Sequence, residues 1–278
     1  MKNILVPIEE HHLLDAVLDA SLTLARSFDS YVEGAAISVD QLPGLTADAY
    51  FSAALVSKPV SRQEMATTAR RRFETHMAAK GIALGAPGRP GLSHGWRQEL
   101  LTGDELVGAY ARAFDLTVLG RPSSRTGHPR MATLEAALFD SGRPVLLVPP
   151  SPPAVIGDTV VIAWNRSTET ARAVTDAMPF FAKARQVLVL EIENWGVAGP
   201  SGRELADGLE RHGFPVRLQN VPAGQKGPGE TILSACQTLG CDLLVKGAYT
   251  QSRLRQMIFG GATSHILANT TVPVLLAH

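Results

Sequence analysis

Asp242-Leu243-Leu244-Val245-Lys246-Gly247, in the second half of the chain, repeats Asp115-Leu116-Thr117-Val118-Leu119-Gly120 in the first, and this pair decides the fold. Each is a short apolar run that opens on an acid and closes on a glycine. A run apolar at consecutive rather than alternate positions reads as a strand buried on both faces, as in a parallel sheet. Outward from that pair, two more landmarks recur in the same order. Ile4-Leu5-Val6-Pro7-Ile8-Glu9 matches Val160-Val161-Ile162-Ala163-Trp164-Asn165, and Pro144-Val145-Leu146-Leu147-Val148 matches Pro273-Val274-Leu275-Leu276-Ala277. Such self-similarity marks a duplicated unit. Pro149-Pro150-Ser151-Pro152-Pro153, between the copies, reads as a short stiff linker. Two domains are expected, at 1–149 and 156–278.

Strands alternate with helical patterns inside each copy. In the second, Ser167 is a candidate N-cap for a helix to about Lys183, with Val174, Ala177, Met178 and Phe181 at helical spacing and Pro179 placed to kink it. Val187–Leu190 reads as a strand, 201–212 as a polar helix, and the region of Val216 as a strand. A helix carrying Ile232, Ala235, Cys236 and Leu239 stops at Gly240. The strand at 242–247, a helix near 261–269 and a last strand at 272–276 complete the copy. The fold class is therefore α/β: two tandem doubly wound domains, each a five-stranded parallel sheet flanked by helices. The first copy adds an irregular stretch at 41–61 and a Gly/Pro-rich loop at 85–91. The former reads equally as a cover for a ligand crevice, a dimer contact or a tolerated surface loop.

Composition sets the outer bounds. With 278 residues, 45% apolar and 19% charged, the chain can bury a real core. Lys plus Arg (26) equals Asp plus Glu (26), which argues against a coat for nucleic acid or an anionic membrane. Cys236 and Cys241 are too few for a disulfide framework and read as reduced thiols in a core. No signal-peptide pattern opens the sequence, and no apolar run reaches the ~18 residues that cross a bilayer. A cytoplasmic protein with no membrane partner is expected.

In an open parallel sheet, ligands bind beyond the carboxyl ends of the strands, where the strand order reverses. In the second copy that place holds Gly247-Ala248-Tyr249-Thr250 through Phe259-Gly260-Gly261-Ala262-Thr263. Glycines there let the backbone approach a phosphate, and a helix N-terminus favours an anion. Between Lys246 and His265 the charged residues are Lys246, Arg253 and Arg255, with no acid. A phosphorylated ligand and a solvated basic loop both fit that pattern.

These landmarks, in this order and spacing, resemble the universal stress protein (UspA-like) family in its tandem form, over nearly the whole chain except 41–61. ATP-binding members carry G-x2-G-x9-G-[S/T]. Here Gly247 and Gly260 stand at the first and third positions, while Thr250 replaces the second glycine and Gly261 the hydroxyl residue. Ala262 follows, and Thr263 is near enough to supply a hydroxyl. The family's acid after the first strand corresponds to Asn165, a poorer partner for Mg2+ than a carboxylate, and backbone groups near Ile192 would meet adenine. The resemblance thus implies ATP, with Mg2+, in the second copy. In the first copy Gly120 persists, but Met131-Ala132 occupies the place of Gly260-Gly261. Arg121, Arg125, Arg130 and His128 stand without acidic neighbours in sequence, Glu9 keeps the acidic position, and this half is expected not to bind ATP in the family's way.

The remaining signals are weaker. His11-His12 have no third ligand at metal spacing and read as surface residues. Trp164 could stack on a base or simply pack. No nucleophile–base set, P-loop or G-x-G-x-x-G is present, so catalysis beyond slow ATP hydrolysis is not expected. Two roles stay open. One is a stress-response protein binding an adenine nucleotide in its second domain and signalling to a protein partner; the other is a scaffold with both sites degenerate. The resemblance implies an intramolecular pseudo-dimer through the strands at 144–148 and 272–276, with further association of chains left open.

Overall fold

The computed structural model describes residues 1–38, 62–86, 88–125, 127–222, 224–248 and 261–278. The expected 41–61 insertion lies outside the described residues. The first half runs β1 (Asn3–Ile8), α1 (Leu14–Phe28), β2 (Tyr31–Ser38), α2 (Arg62–Ala79), β3 (Ser93–Trp96), β4 (Leu101–Thr102), α3 (Asp104–Ala111), β5 (Leu116–Gly120), α4 (Met131–Asp140) and β6 (Val145–Val148). The second runs β7 (Thr159–Trp164), α5 (Thr168–Phe181), β8 (Gln186–Ile192), α6 (Gly202–Arg211), β9 (Val216–Val221), α7 (Pro228–Thr238), β10 (Leu243–Gly247), α8 (Gly261–Asn269) and β11 (Val274–Ala277).

The two sheets fuse into one of 11 strands, ordered β3-β2-β1-β5-β6-β11-β10-β7-β8-β9, with the short β4 added beside β2. Every pairing is parallel except β6 with β11, where Val145, Leu146 and Leu147 face Leu276, Leu275 and Val274. This junction covers the two strand edges that a lone half would leave unpaired. Side chains also cross the seam. Phe28 meets Phe180 edge-on at 5.1 Å, Phe139 meets His278 at 4.6 Å, and Arg121 Nη1 donates to Thr270 O at 3.1 Å.

The strands are apolar at consecutive positions because both faces are covered. Ile4, Val6 and Ile8 enter one core, beneath α1, α2, α5 and α6, and Leu5 enters the other, beneath α3, α4, α7 and α8. Local signals act as read. Ser167 caps α5 by accepting from Thr170 N, and Ser201 caps α6 in a reciprocal pair with Glu204. Pro179 falls inside α5, which ends at Phe181. Gly240 takes φ +63° after α7, a conformation that needs glycine.

The repeated aspartate has a structural reason too. Asp115 Oδ2 accepts from the backbone N–H of Lys2 and Asn3, and Asp242 accepts from those of Gly157, Asp158 and Thr159. Each acid ties the start of its own strand to the chain entering the neighbouring one.

Candidate functional site

In each half the chain lays strands to one side of its first strand and then returns to the other. The order therefore reverses between β1 and β5, and between β7 and β10, and a crevice opens at the carboxyl ends of each pair.

In the first half that place is filled by the protein itself. Arg130, the residue before α4, donates through Nε to Glu9 Oε1 at 2.5 Å. Its Nη1 and Nη2 grip Asp104 Oδ2 and Oδ1 at 3.1 and 2.6 Å, a bidentate pair. Thr133 Oγ1 lies 2.8 Å from Arg130 Nη2 and 2.9 Å from both Glu9 Oε1 and Asp104 Oδ1. Burial alone would lower the Arg130 pKa, but the Glu9 charge and the hydrogen bonds to Asp104 and Glu9 outweigh it and hold it above the usual guanidinium value. This corrects the reading of Arg130 as lacking acidic neighbours: its partners are distant in sequence and meet it only in the fold. The His pair needs a correction as well. His11 is buried, its Nδ1 accepting from Leu13 N, while His12 is exposed and its Nδ1 lies 2.8 Å from Gly127 O. Burial first, then the charges of His12, Arg72 and His128, push the His11 pKa down to about 4. Among the described residues no three His, Cys, Asp or Glu side chains converge as a metal site requires.

In the second half the same positions carry no such cluster. Asn165 follows β7 as Glu9 follows β1; Pro228 opens α7 as Asp104 opens α3; Gly260 precedes α8 as Arg130 precedes α4. Only the threonine is kept, Thr263 standing third in α8 as Thr133 does in α4. Gly260 and Thr250 lie outside the described residues, as do Tyr249, Arg253 and Arg255.

The remaining site residues can be placed. Asn165 Oδ1 accepts from Ser167 N at 3.2 Å and from Thr170 Oγ1 at 2.5 Å, so the amide oxygen braces the start of α5. The Asn165 backbone carbonyl accepts from Val197 N at 3.0 Å, and Ile192 O accepts from Trp195 N at 3.2 Å. Gly247 is glycine for a packing reason, because a β-carbon there would lie 2.3 Å from Thr170 N. Gly120 is likewise crowded, by Pro129, so a glycine at this position does not by itself signal a ligand. Gly261 opens α8 at φ +62°, where the hydroxyl residue of the ATP motif would be strained. Ala262 and Thr263 are buried on the first turn of α8.

Lys246 was read only as part of a basic stretch, yet it is 3% exposed. Its Nζ donates to Gly247 O at 2.6 Å and to Thr263 Oγ1 at 2.8 Å. Burial pushes its pKa down to about 8, against a smaller opposing pull from Glu169. The copy was the available signal, since Leu119 holds the same place in the first half. Trp164 packs in the core and donates from Nε1 to Pro200 O at 2.9 Å. Trp195 is half-buried and packs against the core on the side of the sheet covered by α3, α4, α7 and α8.

Fold and site together define a tandem of doubly wound α/β halves, one crevice filled by an internal ion cluster and the other lined by a buried lysine. Residues 158–278 match the model of the Universal stress protein family. Over its full length the chain resembles in fold a universal stress protein from Archaeoglobus fulgidus DSM 4304, with TM-score 0.70 and 17% identity over 99% of this chain and 95% of that one. A putative universal stress protein from Pseudomonas aeruginosa UCBPP-PA14 is similar at TM-score 0.57 and 14% identity, over 100% and 93%. No curated protein matches the sequence significantly. Among the described residues no helix is long and apolar enough to cross a membrane.

Proposed function

We propose that this is a tandem universal stress-type protein that binds one adenine nucleotide per chain, in its C-terminal half, and acts in a stress response by presenting its bound or free state to a protein partner. The observation that carries this reading is the asymmetry between the crevices. Glu9 and Asp104 both hold Arg130 where a phosphate would have to enter the first half; the cluster keeps one net negative charge, and an incoming anion would have to break a bidentate pair. Asn165, Pro228 and Gly260 remove all three charges from the second half, leaving the start of α8 and Lys246 as its polar features. A nucleotide fits that electropositive end, with Trp195 on the same face as an apolar surface for the base. Bound there, ATP supplies a polyphosphate that carries its own Mg2+; the chain contributes backbone N–H groups, the Thr263 hydroxyl and a cationic side chain.

A second reading, a scaffold without nucleotide, draws on Asn165 and Thr263 already spending their polar atoms inside the protein. Isothermal titration with ATP and Mg2+ separates the two. One site per chain, lost in Gly260→Asp, supports the proposal. Two sites, or none at millimolar ATP, refutes it.

A further inference from the structure

The antiparallel seam brings the start of β6 against the end of β11, since Val145 pairs with Leu276. Beside that junction lies a cavity of about 320 Å³, lined by Arg143 from the first half and by Arg172, Asp176 and His278 from the second. A cavity of this size at the junction of two units suits a small ligand. None of its lining residues belongs to the nucleotide site proposed above. The charges around it do not satisfy one another. Arg172 and Asp176 stand one turn apart on α5, the spacing and order at which Arg70–Glu74 of α2 and Arg203–Asp207 of α6 close to 2.8 and 3.4 Å. Yet among the described residues neither Arg172 nor Arg143 comes within the 4.0 Å of an ion pair with a carboxylate, and Asp176 accepts no hydrogen bond. Burial pushes the Asp176 carboxyl above its usual value, and Arg143 opposes this only from beyond ion-pair distance. Groups outside the cavity hold two of the lining side chains in place. Arg143 Nε donates to Arg112 O at 3.2 Å, and His278 sets its ring edge-on to Phe139 with Nδ1 3.0 Å from Ala248 O. The repeat shows that the fold does not require these charges. With the buried Thr170, Ala173 and Val174 of α5 matched to Leu14, Val17 and Leu18 of α1, Ala16 and Ala20 stand where Arg172 and Asp176 do, and Val272 where Arg143 does.

We propose that the seam cavity binds a small zwitterion, a free α-amino acid by chemical class, whose carboxylate meets Arg143 and Arg172 and whose ammonium meets Asp176. A simple anion would find the two guanidiniums but leave Asp176 half-buried and unpaired, and a simple amine would leave the guanidiniums without an acid. A zwitterion satisfies both ends at once. The planar guanidiniums offer paired N–H donors to its carboxylate, and Asp176 accepts from its ammonium. This goes beyond the nucleotide reading and does not depend on it, because it uses none of that site's residues.

The test is calorimetric titration of the full chain with each common protein amino acid in turn, and with the deaminated acid and the decarboxylated amine of each one that binds. The expected result is a single site per chain for at least one amino acid, with a Kd on the order of 10 μM to 1 mM. Asp176→Asn and Arg172→Gln should each weaken it roughly tenfold or more, as should loss of either charged group from the ligand. No amino acid bound at about 10 mM, or affinity unchanged in both variants, overturns the proposal. So does an acid or amine analogue that binds as tightly as its parent, since the site then recognises a single charge. Should Asp176→Asn fail to fold, Arg172→Gln, at an exposed position on α5, decides alone. ATP titrations of the same variants should match wild type, so this proposal and the nucleotide reading stand or fall separately.

Discussion

Replacing Lys246 with methionine should make the ligand-free protein more stable. Burial lowers this ammonium from 10.5 to about 8, and at about 1.4 kcal/mol per tenfold change the buried charge costs about 3 kcal/mol near pH 7. The variant removes that cost but strips a donor from Gly247 O and Thr263 Oγ1, a loss of about 1 kcal/mol each. A net gain of about 1–2 kcal/mol remains. The pH dependence has a definite sign. The folded-state pKa lies below the unfolded one, so between about pH 8 and 10.5 the unfolded chain still holds a proton that the folded protein has released. Wild-type stability therefore rises through that window relative to the variant. Urea unfolding at pH 7 and at pH 9.5, followed by tryptophan fluorescence, measures both effects. Tyr31, Tyr110 and Cys236, all held above their usual values, titrate alike in the two proteins and cancel in the difference. The variant should lead at pH 7, and its lead should shrink at pH 9.5. A variant less stable than wild type at pH 7, or a lead that ignores pH, would refute the picture of an unpaired buried cation.

Four other perturbations probe the frame. Arg130→Ala leaves Glu9 and Asp104 facing each other unneutralised; since the arginine is about a third exposed, the expected loss is about 1–2 kcal/mol, read from the urea midpoint, and less at high salt. His11, held down to about 4 mainly by burial, stays neutral in the fold while the unfolded chain takes up a proton below about pH 6.5. Stability should fall by up to about 3 kcal/mol as pH drops from 6.5 to 4, and His11→Asn should flatten that part of the acid titration. Gly247→Ala would drive a β-carbon to 2.3 Å from Thr170 N and should cost about 2–3 kcal/mol. Gly208→Ala, in α6 with nothing within 4 Å of its new β-carbon, should instead gain about 0.5–1 kcal/mol by circular dichroism melting.

Much of the architecture was legible in local sequence. Consecutive apolar positions such as Val160–Ala163 mark strands buried on both faces, Ser167 and Ser201 announce helix starts, and the matched Asp115 and Asp242 runs reveal the duplication. These signals survive because each depends on a few neighbouring residues and on the period of the element they build. The family resemblance named the strands at 144–148 and 272–276 as the place where the halves meet, but their antiparallel pairing is known only from the tertiary structure. The site was less legible. Arg130 looked unpaired because Glu9 and Asp104 lie 121 and 26 residues away, and no local pattern reports a contact across such a distance. Lys246, on the strand at 242–247, counted as one more charge in a basic stretch, and only the fold shows it buried and bonded to Thr263 of α8. Gly247 was read for phosphate approach, whereas the fold spends it on contact with α5.

The sequence by itself therefore determined the class of fold and the duplicated organisation, because periodicity, capping and repetition are written in adjacent residues. Only the tertiary structure decided that one switch point is filled by its own ion cluster while the other holds a buried cation with no carboxylate in ion-pair contact among the described residues. Electrostatic balance depends on which charges are brought within a few ångströms and which are taken out of water, and the packing of distant segments settles both.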